Sequence, residues 1–298
     1  MVLEHNKISA LVSLLDDADE RIYTPAMEEL QKADFSQIDI LNLFLEEEIE
    51  SIDQRERLEN VIKSIKIEHL INELLNWKNT GGKDLLYAIT AISQFKYPDI
   101  TYQYFIEKLE ALKLDAWLEF HYDLTSFEKV KILNYILFQL HGFKGNEENF
   151  LHSDNSYINK VLETKKGNPI SLSIIYILVA QKLNVPIYGV NLARHFIMAY
   201  VENSETDTLQ HFGDRQAISE NAEGEIKFYI NAYNGGGVFN YEQLLKTIAD
   251  MKLELKPEFT NPCTNIDIVR RVLMNIYNSY LHSNNSDAEL ILKVISAF

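Results

Sequence analysis

The stretch GNPISLSIIYILVAQKLNVPIYGVN, residues 167–191, decides the fold. From Ile170 to Leu183 it is apolar on nearly every side, which describes a helix buried on most faces and not a surface helix. Pro169 suits the first helical turn, where a missing N–H had no partner to lose. Pro186 closes the segment. IYGVN (Ile187–Asn191), HFIMAYV (His195–Val201) and KFYINAY (Lys227–Tyr233) are rich in β-formers and read as three strands. The acidic excursion Glu202–Glu225 reads as an exposed hairpin loop or a partly mobile segment. Gly235-Gly236-Gly237 closes the third strand with backbone that can pass close to another group.

Outward from this centre, glycine marks the change of architecture. The first glycine is Gly81, and nine of the eleven lie between Gly142 and Gly237. The chain therefore reads as α+β. Residues 1–80 form a helical repeat-like region, 81–140 a helical lead-in, 141–245 the mixed core, and 246–298 a helical tail. Helical stripes run through Ile8–Leu15, Ile38–Leu45, Leu58–Ile65, Leu70–Trp77 and Leu85–Ile92. Short paired helices with acidic turns fit either a HEAT-like solenoid or a plain bundle. In the tail, Asp267–Tyr280 is an amphipathic helix carrying Arg270 and Arg271. A turn at Asn284–Ser286 and a last short helix follow.

Composition narrows the function. The 298 residues include 46% apolar and 24% charged, enough to bury a core. Twenty-eight basic against 44 acidic side chains leave a net charge of −16, which opposes binding to nucleic acid or anionic membrane surfaces. Among residues 1–50, thirteen are acidic and three basic, either a solvated face or a partner-binding one. A single cysteine, Cys263, excludes an internal disulfide framework and any multi-cysteine metal centre. The eight histidines form no i, i+4 pair, so no metal site and no cofactor is expected. The start, MVLEHNKISA, lacks the pattern of a signal peptide, and a cytoplasmic location is the expectation. The oligomeric state stays open.

Several ordered motifs resemble the transglutaminase-like superfamily, in its bacterial SirB-type branch. They are Phe143 to Asn146, Asn155-Ser156, Val161-Leu162, Gly167 to Leu172, Val190 to Phe196 and Ile230 to Gly236. The resemblance covers roughly residues 84–285. It implies a cysteine-protease-like core, with a nucleophile at the start of a buried helix, a histidine on a neighbouring strand and a carboxylate on the next. A helix N-terminus and an adjacent imidazolium both favour the reactive thiolate.

Carried over residue by residue, the resemblance puts Pro169 at the cysteine position, and proline has no reactive side chain. Ser171 and Ser173 are the nearby hydroxyls; helix-start hydrogen bonding is the competing use for both. His195 stands where the histidine belongs, at the start of its strand. Asn231 stands where the carboxylate belongs and could orient an imidazole through its amide oxygen. Asp214 and Glu202 are carboxylates available from the excursion. Ala193-Arg194 replaces Pro-Gly, and a cation beside His195 would disfavour the imidazolium. The motifs also mark Asn155, Asn168, Asn191, Arg194 and Gly236 as candidate binding positions. The expectation is a non-catalytic protein-binding or scaffold module with a protein partner. The alternative is a divergent hydrolase or acyl-transfer enzyme using Ser171 with His195 and Asn231.

Overall fold

The computed structural model describes residues 2–47, 49–193, 195–202 and 224–298. The first part is helical throughout: α1 (His5–Leu14), α2 (Glu20–Leu30), α3 (Ile38–Glu47), α4 (Ile52–Asn79), α5 (Leu85–Lys96), α6 (Tyr102–Glu119) and α7 (Ser126–Asn134). A π-helical turn, Tyr135–Leu140, continues α7. The side chains of Asp19, Ser51, Asp84, Thr101 and Thr125 accept the first free N–H groups of their helices, so the polar residues between apolar stripes set the helix starts.

Then follow α8 (Ile158–Thr164), α9 (Pro169–Lys182), α10 (Tyr241–Asp250), α11 (Asn265–His282) and α12 (Ala288–Ala297). A two-residue parallel pair joins β1 (Lys144–Gly145) to β2 (Lys166–Gly167). The main sheet is antiparallel, in the order β3 (Ile187–Val190), β4 (Ile197–Glu202), β5 (Glu225–Asn231), β6 (Gly237–Phe239). A register shift at Tyr200/Val201 bends the β4–β5 pair. Every residue of α9 from Ile170 to Ala180 is buried, as its unbroken apolar run requires. At roughly 1.5–3 kcal/mol per large apolar side chain, this helix anchors the core.

Three expectations need correction. Leu58–Ile65 and Leu70–Trp77 are not two helices but one, α4, because no glycine, proline or capping residue interrupts them. What changes along α4 is the partner. Residues up to Ile65 join a core with α1, α2 and α3, whereas Ile67, Leu70, Leu74 and Trp77 join the main core around α9. Second, the strand expected at Lys227–Tyr233 stops at Asn231. Its side chain caps a 3-10 turn, Ala232–Asn234, and a fourth strand, β6, follows. Being three residues long and opened by glycine, β6 carries no alternation to detect. Third, His195 lies just ahead of β4 and not on it.

The glycine cluster does make a close approach. Gly236, at φ +77°, would place a Cβ 2.0 Å from the Asn134 amide oxygen. Its carbonyl accepts a 2.8 Å hydrogen bond from Asn134 Nδ2, and Asn134 Oδ1 accepts one of 3.0 Å from the buried Tyr176 hydroxyl on α9. Gly236, offered above as a binding position, is thus tied to the central helix through Asn134. Gly235, at φ +60°, has open space around it. Replacement by alanine should cost about 1–2 kcal/mol at Gly235, from left-handed backbone alone. It should cost clearly more at Gly236. Urea denaturation of the two variants checks the order.

Candidate functional site

The site is built on the start of α9. Asn168 is its N-cap: Oδ1 accepts from the Ser171 N–H at 3.0 Å, and Ser171 Oγ accepts from the Asn168 N–H at 3.0 Å. Asn168 Nδ2 donates to Ser156 Oγ at 2.9 Å. Gly167 is required here because a Cβ would meet Ser171 Oγ at 2.6 Å. Upstream, Asn155 Nδ2 donates to the carbonyls of Asn149 and Phe150, and its Oδ1 accepts from Asn146 Nδ2. Asn155 thereby folds the loop that brings Phe150 and Leu151 toward Pro169.

Two cavities, of about 230 and 250 Å³, share His195. The first is lined by Phe150, Leu151, Pro169, Ile170 and Phe196 on its apolar sides, and by Asn168, Arg271, Asn275, Asn278 and Ser279 on its polar side. Pro169 and His195 thus face one space, as the cysteine and histidine positions of the resemblance would. The second cavity is lined by His195, Asn231, Gln243 and Thr247 among the apolar side chains of Leu192, Ile197, Phe239, Leu244 and Met251. Asn231 therefore shares a cavity with His195 but not the one that Pro169 lines. Its amide oxygen accepts the Asn234 N–H at 3.3 Å, which is a turn-forming bond and not an imidazole-orienting one.

Neither serine reaches His195. Ser171 has no exposed surface, and its hydroxyl is spent on Asn168, accepting from its N–H and donating to its carbonyl. Ser173 is equally buried and donates to the Pro169 carbonyl. The serine-based alternative therefore lacks the nucleophile-to-base contact it needs. Cys263, beside β3 through a 2.8 Å bond from its N–H to the Gly189 carbonyl, is held as thiol. Burial, helped by Asp267, pushes its pKa up to about 12, against an opposing pull from Arg271. Glu202 pairs with Lys227 and lies outside both cavities. Arg194 and Asp214 fall outside the described residues.

The His195 imidazole makes no hydrogen bond among the described residues, and its backbone N–H donates to Leu192. Partial burial lowers its pKa, and the Arg271 guanidinium lowers it further. The cation that lowers it, Arg271, is supplied by α11. Arg271 is half-buried, and its Nη1 donates to Asn191 Oδ1 at 3.0 Å; among the described residues it has no carboxylate partner. Asn191, offered as a binding residue, thus positions the cation. Asn275, which the tail's resemblance to the SirB-type branch includes, and Asn278, which the sequence reading missed, lie four and seven residues past Arg271. That spacing puts all three on one helix face and was available to be read. Among the described residues, no cluster of histidine, cysteine and carboxylate side chains could hold a metal ion, and no helix is long and apolar enough to cross a membrane.

A buried helix whose capped start faces a histidine across a cavity, backed by an antiparallel sheet, is the arrangement of a cysteine-protease-like core. The family model of the transglutaminase-like superfamily matches residues 103–274, and the chain belongs to that superfamily. Its relatives include proteins of the SirB type. It is 30% identical over 173 residues to a UPF0162 protein of Xylella fastidiosa, covering 56% of each chain. A UPF0162 protein from another strain of that species is 26% identical over 249 residues, 77% of this chain and 79% of that one. Protein SirB1 of Salmonella typhimurium is 24% identical over 201 residues, 67% of this chain and 66% of that one. The match thus spans about half the length of the first of these relatives. No solved structure matches the chain.

The electrostatics set a sign. His195 should titrate, by NMR of its imidazole protons, with a midpoint below the ordinary histidine value. In Arg271→Gln the midpoint should rise, because one cause of the depression is gone while burial remains. An unchanged midpoint would remove Arg271 from the surroundings of His195.

Proposed function

We propose that this chain is a non-catalytic member of the superfamily, whose core serves as a protein-binding or scaffold module. One observation carries the reading. Pro169, with no nucleophilic atom, occupies the helix start that faces His195 across the first cavity. The disposition of the nearby hydroxyls supports it: Ser171 and Ser173 are buried and bonded to backbone carbonyls of their own helix start. Asn231 supports it too, since its amide is committed to a turn. The helical unit of α1, α2, α3 and the first half of α4, carrying the acid-rich first fifty residues, is proposed as the partner-facing part. Its charge suits a partner with a basic surface. Whether its helices count as HEAT-like repeats belongs to the same proposal, as do the divisions after residues 80, 140 and 245.

The catalytic reading has a direct test. A fluorophosphonate probe for activated serines should not label the protein. Labelling that disappears in a folded Ser171→Ala variant would overturn the proposal.

A reconstruction tests the geometry. In a Cys263→Ser background, Pro169→Cys puts a thiol at a helix N-terminus near Arg271. Its pKa should fall below the ordinary value of about 8.5. The pH dependence of iodoacetamide alkylation measures this. A thiol no more acidic than a free cysteine would show that the helix start no longer provides the environment of a nucleophile.

A further inference from the structure

The first cavity is chemically lopsided. One wall is apolar, made by Phe150, Leu151, Pro169, Ile170 and Phe196. The other is a single face of α11 carrying Arg271, Asn275 and Asn278. Among the described residues, no aspartate or glutamate lines it. The guanidinium spends one N–H on Asn191 Oδ1 and, among the described residues, meets no carboxylate. Nor do the side-chain amides of Asn275 and Asn278 find a hydrogen-bond partner among the described residues. A half-buried cation with remaining donors is costly to leave unanswered.

We propose that this cavity binds a monoanionic carboxylate on a short apolar stem, its oxygens received by Arg271 and the amides of Asn275 and Asn278. The inference rests on the non-catalytic reading, since it gives the cleft a ligand to hold instead of a bond to cut. The charge count selects the ligand class. Among the described residues Arg271 is the one permanent cation on the wall, and the fork of a guanidinium matches two carboxylate oxygens. A phosphate dianion would call for a second cation. Burial and the Arg271 guanidinium both lower the His195 pKa, which makes the imidazole a poor second cation. Size selects the stem. A cavity of about 150 Å³ accepts benzene, so about 230 Å³ accommodates one ring or a branched aliphatic chain against the apolar wall. Two sources share this chemistry, a small organic acid and the C-terminus of a protein chain.

The full-length protein would be titrated by calorimetry with 3-phenylpropanoate, its amide, a tripeptide ending in phenylalanine with a free carboxylate, and the same tripeptide amidated. Binding of either acid with loss of binding for its amide is expected. Arg271→Gln should weaken the acid by about tenfold or more, as expected for losing a charge-assisted contact. Arg270→Gln, a change at an exposed arginine outside the cavity, should leave it unaltered. Asn275→Ala, a milder change, guards against an unfolded Arg271 variant and should also weaken binding. If only the free acid binds, the ligand is a small molecule; if the tripeptide acid binds as well, it is a chain terminus. Amides that bind as well as acids, phosphate that binds more tightly than either acid, or no binding at millimolar concentration would each overturn the proposal. These results are independent of the fluorophosphonate test. Loss of carboxylate binding removes this site and leaves the non-catalytic reading standing, whereas serine labelling removes that reading whatever the titration shows.

Discussion

The reciprocal bonding of Asn168 and Ser171 is the constraint on which the site depends. It fixes where α9 begins, and so fixes that Pro169 opens the helix toward His195. One of these bonds, with a third from the hydroxyl to the Asn168 carbonyl, consumes the Ser171 hydroxyl. Stability and chemistry compete for one atom here, and the cap has it. An N-cap contributes about 1 kcal/mol. Satisfying buried donors adds to that, because a hydroxyl left unpaired at a site with no solvent contact would cost a comparable amount or more.

Around this start, the fold places its polar residues as supports. Asn155 bends the loop bearing Phe150, Asn191 holds Arg271, Asn231 closes a turn, and Asn134 joins Gly236 to Tyr176. Asparagine suits these tasks because one side chain both donates and accepts. Of the positions that motif reading marked for binding, Asn155, Asn191 and Gly236 make bonds that hold the walls of the cleft, while Asn168 caps α9 and lines the first cavity. The cation and amides that face the open space come instead from α11.

Much of this was legible beforehand, for physical reasons. The unbroken apolar run of α9 has no surface reading, and the three β-rich segments announced β3, β4 and β5. Helix starts were visible where a capping residue preceded an apolar stripe. The rest was hidden for reasons equally physical. A stripe of hydrophobic residues shows that a face is buried but not against what, so the continuous α4 looked like two helices serving one region. A strand as short as β6 carries too few residues for alternation. In the site, the proline at the helix start and His195 were found in sequence. That the polar wall belonged to α11, far along the chain, depended on how the tail packs back, and no local pattern states that.

The long helix α4 has a mechanical meaning. At 28 residues it is a rod of about 42 Å, and its two halves are embedded in separate hydrophobic bodies with no hinge residue between them. Bending it would break hydrogen bonds in mid-helix, so the acid-rich end and the body that contains the cleft turn together as one lever. Whatever grips one end is held at a fixed reach and heading from the other.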